Sequence, residues 1–97
     1  MGEQSVQFSE TRVLIVDDEN IILDILQEHL SERGFACVVA SSPEDALDDL
    51  RQTEAGLLLT DIAMPGMSGI DLAQSARNLW PDLGVIVMTG KSDVTTA

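Results

Sequence analysis

The chain has 97 residues, of which 44% are hydrophobic and 23% are charged, a composition typical of one small globular domain. Its 17 acidic and 5 basic residues give a formal net charge of −12, which argues against direct binding to nucleic acid or to an anionic membrane. No apolar run approaches the ~20 residues of a membrane span, and the single Cys37 cannot form an internal disulfide. These features predict a cytoplasmic chain.

Apolar runs alternate with amphipathic segments along the chain. Residues 1–11 are polar and lack a period, which predicts a flexible lead-in, with one domain over 12–97. Four short runs rich in aliphatic residues predict buried strands: 12–16, 35–40, 57–61 and 83–89. Three segments between them predict helices: 19–34, 41–56 and 68–80.

Each predicted helix has an apolar stripe and an end signal. Ser42 followed by Pro43 is typical of a helix N-terminus, and Gly34 and Pro81 of the ends of the first and third helices. The predicted buried stripes are Ile22, Ile25, Leu26 and Leu30 in the first helix, Ala46, Leu47 and Leu50 in the second, and Ile70, Ala73, Ala76 and Leu79 in the third.

The alternation of strands and helices predicts an α/β fold. Successive βαβ units have right-handed crossovers and form a parallel sheet with helices on both faces. In the common doubly wound arrangement with strand order 2-1-3-4, strands one and three are neighbours, and ligands bind at their carboxyl ends. We therefore expect a functional crevice at the end of these two strands.

Three acids leave those two strands. Asp17 and Asp18 follow "RVLIV", and Asp61 ends "LLLTD", so the predicted topology gathers three carboxylates in one crevice. Two like charges ~4 Å apart near a protein surface repel by about 4 kcal/mol, so the trio should either protonate in part or bind a cation. Mg²⁺ prefers oxygen ligands and phosphate, and a carboxylate beside it can accept a phosphoryl group. The acids therefore indicate phosphate chemistry.

Some of these residues also have a purely structural interpretation. Asp18 or Glu19, taken alone, could be an ordinary helix N-cap, because acids are favoured there. Thr89, at the end of the fourth strand, is either an ordinary strand residue or a donor to a phosphate oxygen.

The motifs "VLIVDDE", "LLLTDIAMPGMSGIDL" and "VIVMTG", in this order, resemble the receiver domain of bacterial two-component response regulators. The resemblance implies a flavodoxin-like fold in which Asp61 accepts a phosphoryl group from the phosphohistidine of a sensor histidine kinase. It implies that Asp18 and Asp61 bind Mg²⁺ directly, that Asp17 acts through water, and that the backbone carbonyl of Ala63 completes the protein ligands. Thr89 would be the switch hydroxyl. Such a domain catalyses only its own phosphorylation and dephosphorylation.

The family pattern also includes a fifth strand that ends in a Lys, followed by a last helix. Neither is found before Ala97, and Lys91 lies on a different loop, where we interpret it as solvated. We therefore expect strand four to be an exposed edge, and a homodimer that covers this edge.

Two other functions stay open. One is a phosphotransferase or phosphatase with Asp61 as nucleophile, but such enzymes need a second acid two residues later, where this chain has Ala63. The other is a non-catalytic, dimerising interaction module derived from a receiver domain.

Overall fold

Four strands and three helices alternate in the computed structural model, which describes residues 11–89. Residues 1–10 of the predicted lead-in over 1–11 lie outside the described residues, as does Lys91, so these predictions stay untested. The elements are β1 (Arg12–Val16), α1 (Asn20–Glu32), β2 (Ala36–Ala40), α2 (Pro43–Gln52), β3 (Leu57–Asp61), α3 (Gly69–Leu79) and β4 (Gly84–Met88).

The strands form one parallel sheet with the order β2-β1-β3-β4, which confirms the predicted topology. Val16, the last residue of β1, pairs with Ala40 of β2 and Thr60 of β3. At the next level Asp61 pairs with Met88 of β4. All four carboxyl ends therefore meet at one end of the sheet, where the loops that follow β1 and β3 also begin.

The sheet separates two apolar cores because successive strand residues point to opposite faces. Leu14 and Val16 of β1 pack in the larger core, with buried residues of α2 and α3. Val13 and Ile15 pack in the smaller core, with Leu23 of α1. This two-sided burial accounts for the uninterrupted apolar run of β1, which has no polar face.

Side-chain caps fix where two of the helices begin. The Ser42 hydroxyl accepts a hydrogen bond from the Asp45 backbone N–H at 3.1 Å, and Pro43 is the first residue of α2, as predicted. The Ser68 hydroxyl accepts a bond of the same length from Asp71 and caps α3. Among residues 11–89, no helix is long and apolar enough to cross a membrane.

The predicted buried stripe of α1 is wrong in part. Ile25 is 47% exposed, whereas Leu23, absent from the prediction, is only 4% exposed. The helix packs on the sheet through Leu23, Leu26 and Leu30, at spacings of three and four residues. Ile25 is apolar but lies outside that stripe. Counting it as a core residue shifted the predicted buried face of the helix away from the observed one.

The stripe of α3 is displaced in the same way. Ile70 and Leu79 are 46% and 38% exposed, although both were expected in the core. Ala76 is buried as predicted, but the rest of the buried face is formed by Gly69 and Leu72, which the prediction left out. A glycine carries no apolar signal in the sequence, so Gly69, which lies against the end of β3, was not recognised.

Candidate functional site

Three carboxylates meet at the carboxyl end of the sheet. One oxygen from each of Asp17, Asp18 and Asp61 lies within 4.8 Å of the others. Asp17 is buried, Asp61 is half-buried and Asp18 is exposed. The two central strands, β1 and β3, bring these residues together, as their positions in the sequence predict.

The surroundings of Asp17 disfavour the charged form of its carboxyl group. Burial raises the pKa of the Asp17 carboxyl group above its ordinary value, and the negative charges of Asp61, Asp18 and Glu19 raise it further. A hydrogen bond opposes them, because the Glu19 backbone N–H donates to Asp17 Oδ1 at 2.9 Å. A cation among these carboxylates would remove much of the cost of ionising Asp17.

Helix capping does not explain the acids after Asp17. The N-cap residue of α1 is Glu19, and its side chain makes no capping hydrogen bond. Asp18 precedes the N-cap, and its side chain is exposed. The structural interpretation, in which Asp18 or Glu19 caps the helix, is therefore not supported.

Ala63 and Thr89 lie on the loops beside the carboxylates. Ala63 is exposed in the loop that joins β3 to α3, two residues after Asp61. Thr89 is also exposed and directly follows Met88, which pairs with Asp61. Both residues are thus at the same end of the sheet as the carboxylates.

Two residues that the sequence does not single out contact the backbone of Asp61. The Thr60 hydroxyl donates to the carbonyl oxygen of Asp61 at 3.0 Å. Gly69, at the start of α3, lies against the same carbonyl group. In the sequence, Thr60 resembles an ordinary strand residue. Gly69 lies in the predicted helix over 68–80, and its contact depends on how α3 packs against the end of β3.

The donor set is suited to a hard divalent cation. Its three carboxylates all offer oxygen ligands. Mg²⁺ is usually held by one or two carboxylates together with water and phosphate oxygens, which requires an open site such as this one. The residues present therefore fit Mg²⁺.

A doubly wound parallel sheet with clustered carboxylates where its two central strands end defines a class of α/β proteins that bind a cation and phosphate in this crevice. Residues 13–97 match the response regulator receiver domain family, and the chain belongs to that family.

Relatives and solved structures agree with this assignment. The DNA-binding transcriptional regulator NtrC of Klebsiella pneumoniae is 39% identical over 83 residues, which cover 86% of this chain but only 18% of NtrC. The response regulator TrrA of Thermotoga maritima, solved in complex with Mg²⁺-BeF, is 34% identical with a TM-score of 0.80, covering 90% of this chain and 76% of TrrA. A structure of histidine kinase ThkA in complex with TrrA matches at 36% identity and a TM-score of 0.78, covering 86% of this chain and 72% of the solved chain.

Proposed function

We propose that Asp61 of this receiver domain accepts a phosphoryl group from the phosphohistidine of a sensor histidine kinase. The observation that carries the proposal is the cluster of Asp17, Asp18 and Asp61, with carboxylate oxygens within 4.8 Å of one another. The solved complex of ThkA with TrrA, to which the chain is similar, supports the choice of a histidine kinase as partner.

The transfer needs an accessible carboxylate, and Asp61 is half-buried at the mouth of the crevice. A carboxylate oxygen of Asp61 attacks phosphorus, the bond between phosphorus and the imidazole nitrogen breaks, and its electron pair stays on the imidazole. The product is an aspartyl phosphate. Thr89, one residue beyond the partner of Asp61 in β4, would donate a hydrogen bond from its hydroxyl to a phosphoryl oxygen.

Asp17, Asp18, Asp61 and the carbonyl of Ala63 would hold Mg²⁺, with Asp17 acting through water. When bound, the ion supplies positive charge that offsets the carboxylates and the incoming phosphoryl oxygens. The TrrA complex with Mg²⁺-BeF supports this assignment.

The chain would not be an enzyme towards other substrates, since it modifies only itself. Enzymes of similar fold with an Asp nucleophile need a second acid two residues later. Ala63 occupies that position and has no acidic side chain. This observation favours the receiver over the phosphotransferase.

We place the kinase contact on α1. Ile21 is 72% exposed and Ile25 is 47% exposed, and the two lie one helical turn apart. This helix starts three residues after Asp17, so a partner docked on these side chains would be next to the acidic site. Exposed apolar pairs of this kind are typical of protein contacts.

The 97-residue chain would also pair with a second copy through β4. Within the described residues, β4 has a hydrogen-bonded neighbour on its β3 side only. The β4 side chain Ile86 is 51% exposed. We place the chain in the cytoplasm, which agrees with the free thiol of Cys37 and with relatives that regulate transcription.

Phosphorylation with acetyl phosphate tests the proposal directly. The chain is incubated with acetyl phosphate, with Mg²⁺ or with EDTA, and peptide mass spectrometry locates any added phosphoryl group. We expect a Mg²⁺-dependent label on Asp61 that is lost in Asp61→Asn. Asp82→Asn is the matched control, because Asp82 is exposed in the turn before β4.

The same experiment separates the alternatives. Rapid consumption of acetyl phosphate without a stable label would favour the phosphatase or phosphotransferase. A chain that is neither labelled nor active would favour the interaction module. Either result would overturn the proposed receiver function.

A further inference from the structure

The backbone that follows Asp61 is held by three hydrogen bonds. The Thr60 hydroxyl donates to the carbonyl oxygen of Asp61 at 3.0 Å, and the N–H of Ile62 donates to the carbonyl of Met88 at 2.9 Å. The N–H of Gly69 donates to the carbonyl of Ile62 at 2.8 Å. Both polar atoms of the peptide group after Asp61, and the next carbonyl, are therefore engaged, which fixes the direction in which the chain leaves β3.

Gly69 lies too close to this backbone to carry a side chain. A Cβ atom at Gly69 would overlap the carbonyl oxygen of Asp61 and would lie 2.9 Å from its carbonyl carbon and 3.0 Å from the Cα of Ile62. All three neighbours are backbone atoms, so none can move away by rotation of a side chain. Any larger residue at position 69 must displace either α3 or the chain immediately after the Asp61 side chain.

Thr60 holds the same carbonyl group from within the strand. Its side chain is fully buried and pairs in register with Val16 in the larger core. A buried hydroxyl is costly unless it is hydrogen-bonded, and the carbonyl of Asp61 is the acceptor that it contacts. Valine has nearly the same shape as threonine, so Thr60→Val would remove the hydrogen-bond donor and keep most of the packing.

We propose that Thr60 and Gly69 are positioning residues for the phosphoacceptor site. Neither belongs to the acidic cluster, and both contact the backbone of Asp61 and Ile62, immediately before Ala63. This inference rests on the proposed function, because Asp61 and Ala63 are the two cation ligands that the segment supplies. By fixing the path of this backbone segment, Thr60 and Gly69 orient the Asp61 carboxylate and the Ala63 carbonyl towards the same ion.

Magnesium affinity of the full chain tests the inference without phosphoryl transfer. Isothermal titration calorimetry gives the Mg²⁺ dissociation constant, and circular dichroism and urea unfolding verify the fold of each variant. We expect Thr60→Val and Gly69→Ala to raise the dissociation constant about 10-fold or more, as the loss of groups that orient metal ligands does. Thr60→Ser retains the hydroxyl and should restore affinity close to that of the wild type.

Gly84→Ala is the matched control for the added methyl group. A Cβ at Gly84 would meet its nearest neighbours at 3.4 Å, an ordinary contact, and Gly84 begins β4 at the end of the sheet opposite the site. We expect its Mg²⁺ affinity to be unchanged.

A purely structural role would give a different result. Thr60→Val would then lower the free energy of unfolding and leave the Mg²⁺ affinity of the folded protein equal to that of the wild type and Thr60→Ser. That outcome overturns the inference even if Gly69→Ala does not fold. A wild-type chain that binds Mg²⁺ but gains no label on Asp61 overturns the proposed function instead, and the dissociation constants of the variants still decide the positioning role.

Discussion

At the scale of single residues, Asp17 has the most consequential environment. Its folded-state pKa is raised above the ordinary 3.8, chiefly by burial. Between that ordinary value and the raised one, the folded protein binds more protons than the unfolded chain. The free energy of unfolding therefore falls as pH rises through this window, and at neutral pH the ionised Asp17 destabilises the metal-free protein.

Asp17→Asn should stabilise the protein in EDTA. The amide oxygen can still accept the Glu19 N–H, while the charge is gone, so we expect the free energy of unfolding at neutral pH to rise by on the order of 1 kcal/mol. The fall in the free energy of unfolding between acid and neutral pH should also be smaller in this variant. Urea unfolding across this pH range measures both effects.

Asp82→Asn removes a negative charge at an exposed position and serves as the control for net charge. An Asp17→Asn variant no more stable than the wild type at neutral pH would contradict the prediction. With Mg²⁺ present the order should reverse, since the variant loses a group that helps to hold the ion.

The sequence predicts the carboxylates of the site better than the residues that hold the backbone around them. Asp17, Asp18 and Asp61 could be placed together because each leaves a central strand, and the strand order follows from the alternation of elements. Thr60 could not be recognised because threonine is common in strands, and Gly69 could not because its role arises from a close approach of α3 to the end of β3. Tertiary distances of this kind leave no pattern in local sequence.

At the scale of elements, one ion pair joins β1 to α2. Arg12 Nη2 lies 2.8 and 2.7 Å from the two carboxylate oxygens of Asp49, and both side chains are mostly buried, with 21% and 27% exposed. Arg51 and Asp48 form a second pair on the surface of α2, at 2.9 Å, with 58% and 69% exposed. The two pairs differ mainly in solvent access.

Double-mutant cycles should distinguish these two pairs. We expect a coupling energy of about 1 kcal/mol for Arg12 and Asp49, because both carboxylate oxygens are engaged and water is partly excluded. For Arg51 and Asp48 we expect less than about 0.5 kcal/mol, since solvent screens exposed pairs. Urea unfolding of the single and double alanine variants gives both values, and equal couplings would contradict the argument from burial.

The exposed face of α1 leads to a prediction about the kinase. Ile21→Glu combined with Ile25→Glu should slow phosphoryl transfer from a histidine kinase that phosphorylates the wild-type chain by about 10-fold or more, as the loss of central apolar contacts does. Labelling by acetyl phosphate should stay unchanged, because that small donor needs no docking surface. Radiolabelled transfer and peptide mass spectrometry measure the two rates.

Ile70→Glu is the matched control, because Ile70 has a similar exposure on α3, at 46%. Equal transfer rates for the α1 double variant and this control would place the kinase elsewhere.

The exposed isoleucines also explain why the predicted buried faces of the helices were partly wrong. The apolar residues recur at helical spacing, but not every one of them packs in the core.

At the scale of the whole molecule, the two edges of the sheet expose different fractions of an apolar side chain. Val39 on β2 is 38% exposed and Ile86 on β4 is 51% exposed. Both side chains continue the face of the smaller core, because Val39 pairs in register with Ile15 and Ile86 pairs with Leu59. The greater exposure of Ile86 favours β4 as the edge that a second copy covers.

Light scattering on the 97-residue chain tests this pairing. We expect a dimer at micromolar concentration that Ile86→Lys weakens, because a charge on the edge opposes pairing. Val39→Lys on the opposite edge should leave the dimer intact. A cooperatively folded monomer in the wild type would contradict the proposed homodimer.

The strand order has a consequence for the timing of synthesis. A ribosome delivers β1 and β2 first, but β1 is central and keeps one open edge until β3 emerges. Strand β3 ends in Asp61, so the pairing of β3 with β1 both closes this edge and supplies the third carboxylate. A nascent chain that stops short of Leu57 thus carries an acidic pair without its partner, and the crevice matures only together with the centre of the sheet.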